Sequence, residues 1–224
     1  MPTTTNFGWT TPADTALVKD GAAAIRTLGS GIDTSFVDFK GGTTGQVLKK
    51  TSGTDLDVEW GTASSGLTLI NTTSFSAVAS QSFNSVFSAT YDNYRIIYVG
   101  TSTVQNAINL RLRVSGTDNS SSNYNSQRIS GSSTTVAGLR QTAQTSASIG
   151  VITDNQSIVT IDIANPFLSV RTPLNSQSCS SSTANIEYFS HVAFHAVDSS
   201  FDGFTFSVAS GTMTGTVTIY GFAK

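Results

Sequence analysis

From about residue 67 onward the chain alternates apolar and polar residues with a period of two, the mark of strands with one buried face. The clearest case is 107-AINLRLRVS-115, where Ile108, Leu110, Leu112 and Val114 share one face and Asn109, Arg111, Arg113 and Ser115 the other. Similar runs occur at 94-YRIIYV-99, 157-SIVTIDIA-164, 186-IEYFSHVAFHAV-197, 203-GFTFSV-208 and 216-TVTIYGF-222. Clusters of Ser, Gly and Asn separate them, and no helical period interrupts. The pattern predicts a mainly β protein whose region 67–224 is an antiparallel β-sandwich of the jelly-roll kind.

The first 40 residues read differently. Val18, Ile25, Ile32 and Phe39 recur at seven-residue intervals, with Leu28 at a d-like position and Phe36 beside the seam. Such heptad spacing predicts a helix that packs against copies of itself, with these six residues at the interface between copies. Pro12 is expected in the first turn, with Thr11 or Thr10 as N-cap and Asp14 near the positive end of the dipole. Gly29 and Gly31 each cost about 1 kcal/mol inside a helix, so a break is expected there. Residues 41–66 follow as a hairpin and linker. Leu56, Val58 and Trp60 alternate with Asp55, Asp57 and Glu59, and 52-SGTD-55 supplies the turn. A lone hairpin is marginal in water and needs partners.

Composition narrows the function. Charged residues make up only 12% of the chain, about half the usual share, and the net charge is -2. The 12 Lys and Arg are scattered, which argues against a phosphate-binding surface and so against nucleic acid. Cys179 is the one cysteine, so an intrachain disulfide and a Cys-rich metal site are both excluded. The opening residues lack the basic and apolar regions of a signal peptide, and no run approaches 18 apolar residues. The expectation is a chain made in a cytosol, without membrane insertion.

Candidate chemistry is sparse. Glu187, His191 and His195 lie four apart in a predicted strand and so share a face, but that spacing separates side chains by about 13 Å, too far for one ion. The expectation is a polar face turned outward or toward an interface, with no metal and no cofactor. No pair of carboxylates is marked by spacing for glycoside hydrolysis, and no nucleophile elbow, phosphate loop or dinucleotide fingerprint is present. Cys179 lies in a Ser-rich stretch without a neighbouring cation to form a thiolate. No catalytic residue is therefore expected. The loop 117-TDNSSSNYN-125 offers Asn119, Asn123, Tyr124 and Asn125, an aromatic face with amides, as a candidate receptor-binding group.

Three segments resemble a known family. The opening 7-FGWTTPADTALVKDGAAAIRTLGSGIDTS-35 is similar to the N-terminal segment of tail-fibre and related virion proteins of tailed phages. The stretch 41-GGTTGQVLKKTSGTDLDVEW-60 resembles their GG-x-x-GQVL…W hairpin, and 92-DNYRIIY-98, 110-LRLRVSGTDNSSSNY-124 and 203-GFTFSVASGTMTGTVTIYGF-222 resemble their C-terminal sandwich. The resemblance implies a homotrimeric virion appendage: an N-terminal part, with Phe7 and Trp9, docked on other virion proteins, and a sandwich facing a host-surface glycan or protein. A capsid decoration protein that stabilises the head is the alternative, and a glycan-hydrolysing depolymerase a distant one. The shaft departs from long fibres in having one hairpin and no repeats.

Overall fold

The computed structural model describes residues 1–15, 17–63, 66–181 and 186–223. Two compact units meet in the chain at residues 64 and 65, so the helical and hairpin regions belong to one unit rather than two.

In the first unit a 3-10 turn, Val18–Asp20, leads into helix α1, Gly21–Ser35, and a second 3-10 turn covers Val37–Phe39. The helix therefore starts well after Pro12, and its N-cap, Asp20, makes no side-chain capping bond. Gly29 and Gly31 do not break it. Trp9 lies against Gly31, with the nearest ring atom 3.6 Å from where a Cβ would stand, and its indole N–H donates to Ser35 Oγ at 2.9 Å. Phe7 stacks on Trp9 at 4.8 Å, and Phe36 bridges from Trp9 to Phe39.

The hairpin forms as β1, Gln46–Lys50, and β2, Val58–Thr62. Its second strand begins two residues later than the alternation suggests, because Leu56 has φ 62° and belongs to the turn. The turn is tied by the Asp57 carboxylate, which accepts from the Thr51 and Ser52 hydroxyls; these bonds hold its pKa below the usual carboxylate value. Gly42 has φ +82° and lies under the Trp60 indole, where a Cβ would come within 2.6 Å of a ring atom. Two separate constraints thus demand glycine at this place in the GG-x-x-GQVL…W motif.

The second unit is the expected β-sandwich. Its strands are β3 (Leu67–Val78), β4 (Ser80–Phe83), β5 (Asn93–Ser102), β6 (Asn106–Val114), β7 (Thr117–Asp118), β8 (Tyr124–Ser132) and β9 (Thr135–Gln144), followed by β10 (Ala147–Ile152), β11 (Ser157–Ala164), β12 (Val170–Ser181), β13 (Ile186–Ser199), β14 (Gly203–Val208) and β15 (Met213–Phe222). One sheet has eight strands in the order β3-β15-β5-β11-β12-β13-β8-β9. The other has five, in the order β10-β6-β14-β4 with β7 beside β6. All pairings in both are antiparallel.

The chain crosses between sheets repeatedly, so each sheet's inward residues come from distant segments. Tyr94, Ile96 and Tyr98 of β5 meet Ile108, Leu110 and Leu112 of β6, Val159, Ile161 and Ile163 of β11, and Val217 and Ile219 of β15 in one core. A ring cluster fills its middle: Phe204 stacks on Phe83 at 4.7 Å and lies 4.9 Å from Phe206. Buried tyrosines need partners for their hydroxyls, and here main chain supplies them. Tyr94 accepts from the Ser88 N–H and donates to its carbonyl, and Tyr98 donates to Thr101 or Thr214.

Tyr124 belongs to this set. Expected at a surface loop, it is instead the first residue of β8 and wholly buried. Its hydroxyl accepts from the Leu112 N–H and donates to the Asn119 carbonyl, each at 3.0 Å, and burial pushes its pKa up to about 12. The ring anchors the preceding loop and cannot meet a receptor. Tyr124→Phe is expected to strand the Leu112 N–H and cost the sandwich about 1–3 kcal/mol, read as a lowered denaturation midpoint. Unchanged stability would return Tyr124 to a surface role.

Candidate functional site

The four candidate receptor residues separate in the fold. Asn119 and Asn123 shape the turn before β8: Asn119 Oδ1 accepts from the Ser121 N–H, and the Asn123 carbonyl accepts from Ala196. The loop is also held from the other side, where Arg113 is ion-paired with Asp118 at 2.5 Å and both meet Thr205. Asn125 lies apart from that loop, on the outer face of the eight-stranded sheet. There it lines an open groove of about 920 Å³.

The groove floor comes from strand register. Asp162, Asn175, Val192, Gln127 and Arg140 are successive cross-strand partners on β11, β12, β13, β8 and β9. Pro173, Phe194 and Asn125 form a parallel row two residues along, and Asn93, Ala164 and Phe222 continue the lining. Phe194 is 41% exposed and Val192 53%, although both lie in the middle of a long strand. Arg95 clamps Asp162 with two hydrogen bonds of 2.8 Å and lies over the Phe222 ring at 5.6 Å. Sequence reasoning missed this site, because its residues come from seven strands that only the sheet order brings together. The signal available was β13's apolar side.

The opposite face of β13 reverses the expectation for Glu187, His191 and His195. The three do share a face, but the two histidines point into the sandwich, with His191 1% exposed. The reason lies in their neighbours. On β12, Thr172, Ser176, Ser178 and Ser180 also point inward, and β10 passes close above them at Gly150, where a Cβ would come within 2.8 Å of Ser178 Cβ. Small side chains permit that approach, and the Val151 N–H donates across the interface to Ser178 Oγ at 3.2 Å.

His195 lies edge-on to Tyr124 and Phe201, and its Nδ1–H donates to the Val197 carbonyl at 3.0 Å. His191 is the cross-strand neighbour of Arg128, whose guanidinium lies over Phe189. Burial, then the Arg128 charge, push the His191 pKa down to about 4; the Ser148 main chain opposes this without meeting hydrogen-bond geometry at either ring nitrogen. Burial likewise lowers His195. Among the described residues no three His, Cys, Asp or Glu side chains gather as metal ligands. Cys179 is exposed on the outer side of β12, and among the described residues no helix is long and apolar enough to cross a membrane.

The remaining candidates lie in the first unit. No residue of α1 is buried; Val18 is 97% exposed and Ile25 66%, while Ile32, Phe36 and Phe39 are also exposed and Leu28 is half-buried. Phe7 and Trp9 are occupied in part by their own helix, and Phe7 keeps an outward face. Comparison with protein-family models, curated proteins and solved structures finds no match for the chain.

The histidines give a pH test. Their neutral form is favoured in the fold, so below about pH 6.5 the unfolded chain takes up protons first and stability falls. For His191 the loss continues down to about pH 4, where the folded form also protonates, and amounts to roughly 3 kcal/mol. His191→Gln is expected to flatten the melting-temperature profile between pH 6.5 and 4 relative to the parent. Parallel profiles would show that His191 is not held neutral.

Proposed function

We propose that the chain is a non-enzymatic structural component of a tailed-phage particle, trimeric through its N-terminal unit and displaying the sandwich toward the host surface. The observation that carries the reading is a 15-residue helix with no buried residue and an apolar stripe in the open. Isolated helices of that length are marginal in water, and their stability in proteins comes from burying an apolar face. Copies of the same helix offer the matching heptad surface. The hairpin motif shared with phage fibres supports the particle setting, since Gly42 under Trp60 gives its glycine a structural reason. Phe7, and Trp9 behind it, form the end that would dock on other virion proteins. The charge-poor sandwich suits display.

Two measurements test this. Light scattering of the full chain at micromolar concentration is expected to give three times the chain mass, and Ile25→Asp to reduce it while the sandwich's own melting transition persists. A monomeric parent chain would remove the trimer. Gold-labelled antibody against the chain is expected at the tail of the phage particle. Label over the head would favour the decoration reading, and an unlabelled particle would overturn the virion assignment.

A further inference from the structure

We propose that the outer-face groove of the sandwich binds an uncharged oligosaccharide. The site rests on the display reading above for its biological setting, though its chemistry is argued from the groove alone.

The groove lies on a sheet face, not at an edge. Four of its five floor strands, β11, β12, β13 and β8, are paired on both sides, so their main-chain groups are committed to the ladder and recognition over them falls to side chains. An extended peptide added as a strand would pair along the outer edge of β9 and leave the rings of β12 and β13 uncovered. What the side chains offer is mixed. Phe194 and Pro173, direct cross-strand partners, present two rings side by side, with Val192 next to them. Carboxamides flank these rings. Among the described residues those of Asn93, Gln127 and Asn175 have no hydrogen-bond partner, and Asn125 spends only its oxygen, accepting from the Ala143 N–H at 3.1 Å.

Each carboxamide both donates and accepts, which suits hydroxyl groups. A sugar ring matches both parts, since its C–H face packs on a ring while its rim of hydroxyls reaches the amides. A purely apolar ligand would desolvate those amides without replacing their water, at a cost for each. No cluster of cations marks the groove for a polyanionic ligand: the lining holds one cation, Arg140, and one anion, Asp162, the latter paired with Arg95. The row from Asp162 to Arg140 crosses five strands, or about 19 Å, room for several linked sugars. The volume is that of a small-molecule site.

The test uses the full chain on an array of uncharged tri- to hexasaccharides built from glucose, galactose, rhamnose and N-acetylhexosamines, with sialylated and sulfated glycans alongside. At least one uncharged member is expected to bind more tightly than any anionic one. Phe194→Ala and Asn175→Ala, both outward-facing, are expected to weaken that binding about tenfold or more with melting temperature preserved, and Phe194→Trp to retain it. No binding to the uncharged set, binding unaffected in both Ala variants, or preference for anionic glycans would overturn the proposal. So would a change in subunit number on Phe194→Ala without sugar binding, which would assign the groove to a neighbouring copy. Particle labelling is independent of these outcomes. A labelled tail without sugar binding refutes only the groove, and sugar binding by a chain absent from the particle refutes only the virion setting.

Discussion

An eight-stranded sheet cannot be wholly covered by a five-stranded one, and most of what distinguishes the sandwich follows from that mismatch. At about 4.8 Å per strand the larger sheet is wider by more than a strand pair. Its centre, β15, β5 and β11, meets the ring-rich face of β6 and β14 and holds the main core. Its flank, β12, β13 and β8, is covered chiefly by β10, and β9 is exposed along nearly its whole length. The two halves of one sheet thus live in different solvents.

The flank carries an inverted pattern. Inward positions hold serines, a threonine and two histidines beside Leu174, Phe189 and Ala193, while Tyr188, Val192 and Phe194 face out. An interior of this kind is stabilised less by apolar area than by fit, with Gly150 of β10 set closely on Ser178. Several of its polar atoms, His191 Nδ1 and Nε2 and the Ser180 hydroxyl among them, have no protein partner among the described residues. Such atoms make this flank the part of the sandwich most sensitive to pH. The apolar groups displaced from the interior furnish the groove on the other side.

The N-terminal unit faces a related problem at smaller scale. Its aromatic cluster, Phe7, Trp9, Phe36 and Phe39, organises one end of the helix, and Trp60 with Gly42 organises the hairpin. Neither buries the Val18–Ile25 stripe. In both units, then, apolar surface remains outside after the chain has folded, and it is this surface that assembly and recognition can use.

Alternation by itself determined that Ile108, Leu110 and Leu112 form a core face, that the region from residue 67 onward is built of strands, and that Glu187, His191 and His195 lie on one side of a strand. A period of two fixes which residues share a face, because successive side chains must point oppositely. It does not fix which face is inside when both sides hold polar and apolar groups. For β13 that was decided by the strand packed above it, and for Tyr124 by a core hydroxyl site formed with Leu112 and Asn119. Helix limits likewise followed contacts: Gly31 sits under Trp9, so the glycine that local propensity reads as a break is a packing position. The groove was beyond the sequence altogether, since sheet order is a long-range choice and only that order sets Asp162, Asn175, Val192, Gln127 and Arg140 in a row.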